Sequence, residues 1–449
     1  MLSEADNVLL TRTGPETPMG DVFRRFWHPV LLSAELPERD GPPVRVTVLG
    51  EDLRAFRSTG GTVGLVSPRC PHRGADLFFG RNEDGGIRCV YHGWKFGLDG
   101  RCLALPTMER GPAREKAERN VRLLAYPTHE AGGFIWAYLG PREHQPKPPE
   151  LEFTALPESH VFVSRKLQQC NWAQAAEGGL DTAHFSFLHM AVSDAADDAA
   201  RVMDKISTGG DTIRWMRDDA APRFTIADHP AGLVLGAARH GDAGEQYWRI
   251  SQFLMPNHGL TPNAFPGDNH HGQCWVPIDD TSCWIHNYTW NPGRPLTEAE
   301  RTRFRAGFSV HAQVDDGYVP IRRRENDYLI DRSKQKTESY TGIDGVSEQD
   351  ACIQDSQGLI ADRTLEHLGP TDMGVIRFRR LMLETARGLR QGHEPAAAAH
   401  PEAYHVRGGG IVASSDMSFV EVMRTRFGHE HGRVLSEDAA GQGSRRRSG

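Results

Sequence analysis

No stretch of the 449 residues approaches the ~18 consecutive apolar residues of a membrane span; "GGFIWAYLG" is among the longest apolar runs. The opening "MLSEADNVLL" lacks a basic segment followed by an apolar core, so no targeting signal is read and the cytoplasm is the expected location. Positive charge is in deficit, with 52 Lys and Arg against 59 Asp and Glu and a net charge of -7. That argues against nucleic acid or an anionic membrane as the main partner. Cysteine is scarce: seven residues, an odd number, scattered at 70, 89, 102, 170, 274, 283 and 352. They do not read as a disulfide framework. A Gly-x-Gly-x2-Gly fingerprint is also missing, so the chain is not expected to hold its own nicotinamide or flavin cofactor.

What is present is an ordinary globular composition, 38% hydrophobic and 25% charged, long enough for two or three domains. Residues 1–40 read as a helical and then irregular segment with breakers at Gly14, Pro15 and Pro18. From Pro43 the pattern alternates, with Val44, Val46 and Val48 on one face of a strand. "LRAFRSTGGTVGLV" reads as a hairpin turning at Gly60-Gly61. Residues 41–145 are therefore expected to form a compact, mainly β domain. Prolines 141, 146, 148 and 149 mark an extended linker. A second domain is expected over 150–395, opening with a helical stretch at 168–190. Strand-like "RFTIAD", "QYWRISQFLM" and "CWIHNYTW" follow. A late helix after Asp372 should bury a stripe containing Ile376, Leu381, Leu383 and Leu389, with Gly392 at its end. Residues 396–449 form a C-terminal extension whose polar last fifteen or so residues are expected to be disordered.

Two constellations carry chemistry. The first is Cys70-x-His72 with Cys89-x2-His92. A tetrahedral Cys2His2 zinc site and a Rieske [2Fe-2S] cluster both use this set. Zinc fingers usually pair Cys with Cys and His with His; here each loop supplies one of each, so each loop can touch both metals of a two-iron cluster. Gly74 and Gly93 follow the histidines and allow close backbone approach. The remaining five cysteines are expected to be buried or idle thiols.

The second is Asp181-x2-His184-x4-His189. Two histidines and a carboxylate with open positions are the ligand set of non-haem Fe(II) oxygenases. Asp181 and His184, three apart, can share a helix face. His184 and His189, five apart, lie about 140° round a straight helix. The helix must kink, or His189 must lie beyond its end. Asp181 is open to two readings, as third ligand or as the acceptor that orients an imidazole.

"CPHRGA…CVYHGWKF" and "NW…E…D-x-x-H-x4-H" together resemble the Rieske non-haem iron ring-hydroxylating oxygenases, α subunits of the phthalate 4,5-dioxygenase-like branch. The resemblance runs from about residue 10 to 395. It includes "RTGPETPMGDVFRRFWHPVLLSAELPE", "YWRISQFLMP" and "PIRRRENDYLIDRSKQKTESYTGI". Rieske proteins of respiratory complexes carry one more Cys per loop; Ala75 and Tyr91 stand in those places here. The resemblance implies an α+β fold: an N-terminal β-rich Rieske domain and a C-terminal helix-grip (START/Bet v1-like) catalytic domain with a twisted antiparallel sheet. It implies a [2Fe-2S] cluster on Cys70, His72, Cys89 and His92, and a mononuclear Fe(II) on His184, His189 and Asp350. Asp355 is the alternative third ligand, and Asp362 is read as a local salt-bridge or capping residue. Asp181 becomes an electron-transfer bridge across a subunit boundary, in a homotrimer or stacked trimers. A separate NAD(P)H-dependent flavin/[2Fe-2S] reductase would supply electrons. One departure is Glu177-Gly178-Gly179, where relatives often carry Asn and a bulkier residue; the two glycines are expected to loosen the helix without touching a ligand.

The implied function is that of a terminal oxygenase using O2 on an aromatic substrate, a phthalate-like carboxylate first. Monooxygenation or O- or N-demethylation is the alternative, and a Rieske electron carrier or a zinc hydrolase are the rivals from other classes. A carboxylate calls for an arginine in the pocket. Arg223 and Arg249 lie on strand-like segments and are the candidates. Phe185, Phe187, Trp248 and Phe253 could line an apolar pocket or simply fill the core.

Overall fold

The computed structural model describes residues 1–192 and 210–432. The polar tail expected to be disordered lies outside the described residues. The architecture is α+β, built on four antiparallel sheets.

Two short helices open the chain. Ser3 accepts the N–H of Asp6 at the head of Glu4–Thr11, and Thr17 caps Pro18–Phe23 with proline in the first turn. Both pack on the long helix Met373–Arg390. The residues after them are not irregular. Trp27–Leu32 is a fully buried edge strand pairing with Phe134–Tyr138. Its register shifts between Pro29 and Leu31, as a proline in an edge strand requires. Phe134–Tyr138, the apolar run "FIWAY", is buried at every position because it is the central strand of three and packs on the second domain as well. Phe134 meets His286 edge-on at 5.5 Å, and Trp136 stacks on His258 at 5.9 Å.

The β-rich unit holds two four-stranded sheets. One is Val44–Val48, Glu51–Arg57, Val63–Val66 and Ala125–Tyr126 in order. Its central hairpin turns at Gly60-Gly61 as the sequence suggests. The other is Arg81–Glu83, Gly86–Arg88, Lys95–Gly97 and Cys102–Ala104. Cys70, Cys89, Trp94 and Phe96 lie together in the core between them.

The C-terminal unit is an eight-stranded antiparallel sheet. Its path runs Val161–Gln168, Cys283–Trp290, His270–Pro277, His258–Leu260, Glu245–Leu254, Gly232–His240 and Arg223–His229. The eighth strand is Gly409–Ser414, from the C-terminal extension. It pairs with Glu245–Ile250, the part of that strand which the short His258–Leu260 leaves unpaired. The helix Phe419–Gly432 then covers Val234, Ala238 and Trp248 with Phe419, Val422 and Met423.

Two helix expectations need correction. The stretch 168–190 is not one helix. Its first residue still belongs to a strand, Trp172–Leu180 is the only α-helix, and a single 3-10 turn follows at His184–Ser186. The buried face of Met373–Arg390 is Val375, Phe378, Arg379, Met382, Leu383 and Ala386, at three- and four-residue spacing. Ile376 is 44% exposed. An arginine occupies the stripe because Arg379 meets the buried Glu177.

Candidate metal centres and substrate recess

The two Cys/His loops are built alike. The Cys70 N–H donates to the Ala75 carbonyl, and the Gly74 N–H donates back to the Cys70 carbonyl. Cys89 and Trp94, with Gly93, repeat this pattern. In both the glycine sits at positive φ, +75° and +71°, where a Cβ is strained. The loops converge. The Cys70 and Cys89 thiols are within hydrogen-bonding reach of each other, and burial pushes the Cys70 thiol up to about 11. The His72 and His92 rings lie 4.4 Å apart, with Trp94 stacked on His72 at 4.3 Å and Tyr91 against His92 at 3.9 Å. His92 Nδ1 is buried with no hydrogen-bond partner. Two thiols and two imidazoles, one of them with an orphaned nitrogen, fit a cluster held between twin loops.

The second set converges as well. His184 Nε2 lies 3.1 Å from His189 Nε2, and Asp350 Oδ1 lies 3.5 Å from the first and 3.3 Å from the second. Three donors ~2.1 Å from a common ion, at angles of about 90–110°, would be roughly 3.0–3.4 Å apart. The set therefore fits one ion with the opposite positions open. Among the described residues no other three His, Cys, Asp or Glu side chains bring their ligand atoms together closely enough for a single ion.

Helix breakage brings the histidines together. Trp172–Leu180 ends at Asp181, whose extended backbone and side chain turn the chain; its Oδ1 accepts the Ala183 N–H at 2.7 Å. Gly178 and Gly179 do not loosen this helix. A Cβ on Gly178 would stand 2.1 Å from the Gln354 amide, and one on Gly179 would stand 2.2 Å from the Trp275 ring. Small residues let the helix lie against Val346–Ser356, which carries Asp350, and against the sheet. Glu177 anchors the same helix. It is buried between Arg363 Nε at 3.0 Å and Arg379 Nε at 2.7 Å. Burial works against ionisation of Glu177, but these two arginines hold its carboxyl below the usual range.

Each imidazole is oriented through its other nitrogen. His189 Nδ1 donates to Gln349 Oε1 at 2.7 Å, while Gln349 Nε2 donates to the Ile343 carbonyl. His184 Nδ1 faces Asp181 Oδ2 at 3.4 Å. Both contacts put the proton on Nδ1 and leave the Nε2 lone pair facing Asp350. Asp181 therefore stands behind the three converging donors, not among them. Burial opposes charge on both partners. Their hydrogen bond and mutual charge prevail, so Asp181 titrates below and His184 above its usual value.

Asp355, the alternative ligand, is elsewhere. It is buried and accepts a hydrogen bond from the Tyr328 hydroxyl, and burial raises its pKa. Asp362 is a local cap, accepting the Thr364 N–H and hydroxyl. Residue type alone did not point to Gln349 or Lys166. Lys166 is buried and donates to the Ser347 carbonyl at the head of the Asp350 helix.

His184 and Asp350 face a recess lined on the same side by Asp181, Phe185 and Arg249. Its other walls include Ser251, Asn263, Gln273, Val310 and Val346. Arg249 is fully buried. It donates to Thr182 Oγ1, Asn263 Oδ1 and Met216 Sδ, and its guanidinium lies 4.2 Å from the centre of the Phe185 ring. No carboxylate among the described residues pairs with it. Arg223 is not in the recess. It is exposed on the edge strand, with Gln246 Oε1 at 3.3 Å. Of the aromatic candidates Phe185 alone lines the recess. Phe187 is 55% exposed, Trp248 lies under the C-terminal helix, and Phe253 is in the main core.

Residues 26–127 match the Rieske [2Fe-2S] domain family, and residues 137–417 match the family described as LigXa C-terminal domain like. The chain belongs to the Rieske non-haem iron ring-hydroxylating oxygenases. This oxygenase is 38% identical to the phthalate 4,5-dioxygenase oxygenase subunit of Pseudomonas putida, over 87% of its own chain and 88% of the relative. It is 36% identical to the 3-chlorobenzoate-3,4-dioxygenase oxygenase subunit of Comamonas testosteroni, over 85% and 88%. Its fold resembles the terminal oxygenase of carbazole 1,9a-dioxygenase from Nocardioides aromaticivorans. The TM-score is 0.55, at 19% identity, over 85% of this chain and all of that one. The β-rich unit of the oxygenase is thus its Rieske domain, and the sheet with the recess lies in its LigXa-like domain. No described helix is long and apolar enough to cross a membrane.

Proposed function

We propose that this oxygenase acts on an aromatic carboxylate, held by Arg249 with its ring against Phe185 and beside His184, His189 and Asp350. The observation that carries this reading is Arg249 itself. A fully buried guanidinium that lines the recess and has no carboxylate partner among the described residues has a charge to satisfy, and a ligand anion satisfies it. Two of the relatives are named for aromatic acids, phthalate and 3-chlorobenzoate.

Cys70, His72, Cys89 and His92 would hold the [2Fe-2S] cluster, and His184, His189 and Asp350 a mononuclear iron. Bound there, the two centres supply electrons one at a time and the chemistry of O2. The protein's own part is binding and orientation. Arg249 fixes the carboxylate end, Phe185 the ring face, and Gln349 and Asp181 the two imidazoles. Asp181, 27% exposed at the side chain, is read as the bridge to a Rieske histidine of a neighbouring subunit in a homotrimer. A separate NAD(P)H-dependent reductase delivers the electrons. For dioxygenation the balance is substrate, O2, NAD(P)H and H+ giving a cis-dihydrodiol and NAD(P)+. For monooxygenation the products are an alcohol, water and NAD(P)+.

The test is product analysis with labelled O2, a partner reductase and a panel of benzoate, phthalate, 3-chlorobenzoate and their neutral amides. Oxygen incorporated into the acids but not the amides supports the reading. Two labelled atoms per product mark dioxygenation and one marks hydroxylation. Turnover of amides as fast as acids would overturn the carboxylate assignment.

A further inference from the structure

Thr182 follows Asp181 in the turn that leads to His184, and two buried arginines meet on it. Arg249 Nε donates to Thr182 Oγ1 at 2.7 Å, and Arg239 Nη2 donates to the Thr182 carbonyl at 2.9 Å. Arg239 is 0% exposed and has no carboxylate partner among the described residues. Its Nε donates to the Asp219 carbonyl at 3.0 Å, and its Nη1 has no acceptor. Burying a second guanidinium this close to the first is costly, since like charges repel and neither is neutralised. Arg239 spends its donors on two backbone carbonyls, those of Thr182 and Asp219, a small return for that cost unless the position of the chain there matters.

The residues around Thr182 show why it would. Asp181 Oδ1 is fixed on the Ala183 N–H at 2.7 Å, which makes residues 181–184 one turn-like unit. Asp181 Oδ2 stands 3.4 Å from His184 Nδ1, longer than the roughly 2.7–2.9 Å of a strong charge-assisted hydrogen bond. A rotation of this unit by a few tenths of an ångström at Oδ2 would make or loosen that bond. Arg249 has one face in the recess and its Nε on this unit. A carboxylate that pairs with the Nη groups pulls on a guanidinium whose third nitrogen is tied to Thr182.

The geometry points to Thr182 as a positioning residue that couples anion occupancy at Arg249 to the Asp181–His184 contact, with Arg239 holding the Thr182 carbonyl as the pivot. Binding then shortens the contact through the side chain that already touches both parts. A ligand biases a two-state element only through a contact that differs between the states, and the Arg249–Thr182 bond is that contact. The inference rests on the aromatic-carboxylate reading of the recess.

The experiment uses the complete oxygenase with its cluster reduced. The protein, holding one electron per reduced cluster and ferrous iron at the second centre, is mixed with O2 and given no further reductant, in the presence or absence of benzoate or phthalate. The visible spectrum of the cluster reports its loss of one electron. Calorimetry of the same acids with the oxidised protein reports binding without turnover. In the natural protein the acid should accelerate cluster reoxidation. In Thr182→Val that acceleration should fall at least tenfold while the Kd stays within about threefold and the cluster spectrum and iron content are unchanged. Thr182→Ser, which keeps the hydroxyl, should restore it to within about threefold. If Thr182→Val does not yield folded protein, Thr182→Ala removes the same hydroxyl with less bulk. Normal acceleration in the valine or alanine variant would overturn the coupling. So would a loss of acid binding in the variants that accounts for the whole effect. If neither acid binds or accelerates the natural protein, the carboxylate reading itself falls and this inference with it.

Discussion

Gln349 accepts the Nδ1 proton of His189 at 2.7 Å, while its sequence neighbour Asp350 turns its carboxylate to the Nε2 of the same ring at 3.3 Å. Adjacent residues on one helix thus grip both nitrogens of one imidazole. Gln349→Leu removes the acceptor and leaves a buried N–H unpaired. Second-centre iron affinity should fall roughly 10- to 100-fold. Gln349→Glu, which still accepts, should retain the metal better. Competition titration with a chelator, against an unchanged cluster spectrum, measures both.

Asp350 and Asp355 sit on the same helix but face different partners, the histidine pair and Tyr328. Asp350→Ala should reduce the iron from about three to about two per chain and keep the cluster absorbance, since a [2Fe-2S] cluster holds two. Asp355→Asn keeps a hydrogen-bonding side chain for Tyr328 and should leave about three. Iron analysis of the two purified variants decides between them.

These two aspartates also mark where local sequence pattern ends and packing begins. The Cys/His loops were legible because ligand chemistry fixes residue type and glycine fixes the turn, so the pattern is local. The break after Leu180 was legible as a constraint, because five residues cannot bring two histidines together on a helix. Choosing Asp350 over Asp355 rested on resemblance, since periodicity cannot tell which of two carboxylates 161 and 166 positions away faces His189. The Glu177–Arg363–Arg379 cluster was not legible at all. Its members are remote in sequence and each is an ordinary surface residue type. The glycines at 178 and 179 looked like weaknesses of the helix. Their purpose is set by Gln354 and Trp275, which only the packed structure brings within contact.

Asp181 touches His184 but is not one of the three converging metal donors. Asp181→Asn should therefore keep both the cluster spectrum and the iron content while abolishing nearly all turnover. Loss of iron equal to that in Asp350→Ala would make Asp181 a ligand instead. Normal turnover would remove it from the electron path. Iron analysis and NADH consumption, run on the same preparation, separate these outcomes.

Arg249→Gln keeps a polar side chain of similar reach but removes the charge. Truncating one partner of a buried ionic hydrogen bond costs roughly 2–4 kcal/mol, on the order of 30- to 700-fold in KM for a carboxylate substrate. A neutral amide should change by less than about threefold. Arg223→Gln, on the exposed edge strand, should alter neither. Equal effects of Arg249→Gln on acid and amide would mean that the arginine serves packing alone.

Acid sensitivity should come first from the buried histidines of the interface and sheet. Burial, the largest effect on each, pushes His28 and His270 down to about 4 and His258 and His271 down to about 3. All four therefore stay neutral in the folded protein at pH values where the unfolded chain already protonates them. Stability is unaffected well above the ordinary value of 6.5. It falls as pH drops below 6.5, because the unfolded state then binds protons that the folded state refuses, and the loss continues down to the folded-state values. Each such histidine contributes about 1.4 kcal/mol per pH unit in that window. Buried carboxylates such as Glu177, held below the ordinary 4.5, add their own loss only at lower pH. Unfolding by urea or heat should thus show a plateau above pH 7 and a steep decline between about 6 and 5. Replacing His271, whose Nδ1 meets Thr289 Oγ1 at 2.7 Å, with Asn or Gln should flatten that decline by about 1.4 kcal/mol per pH unit. An unchanged slope would mean that His271 already takes up its proton in the folded protein.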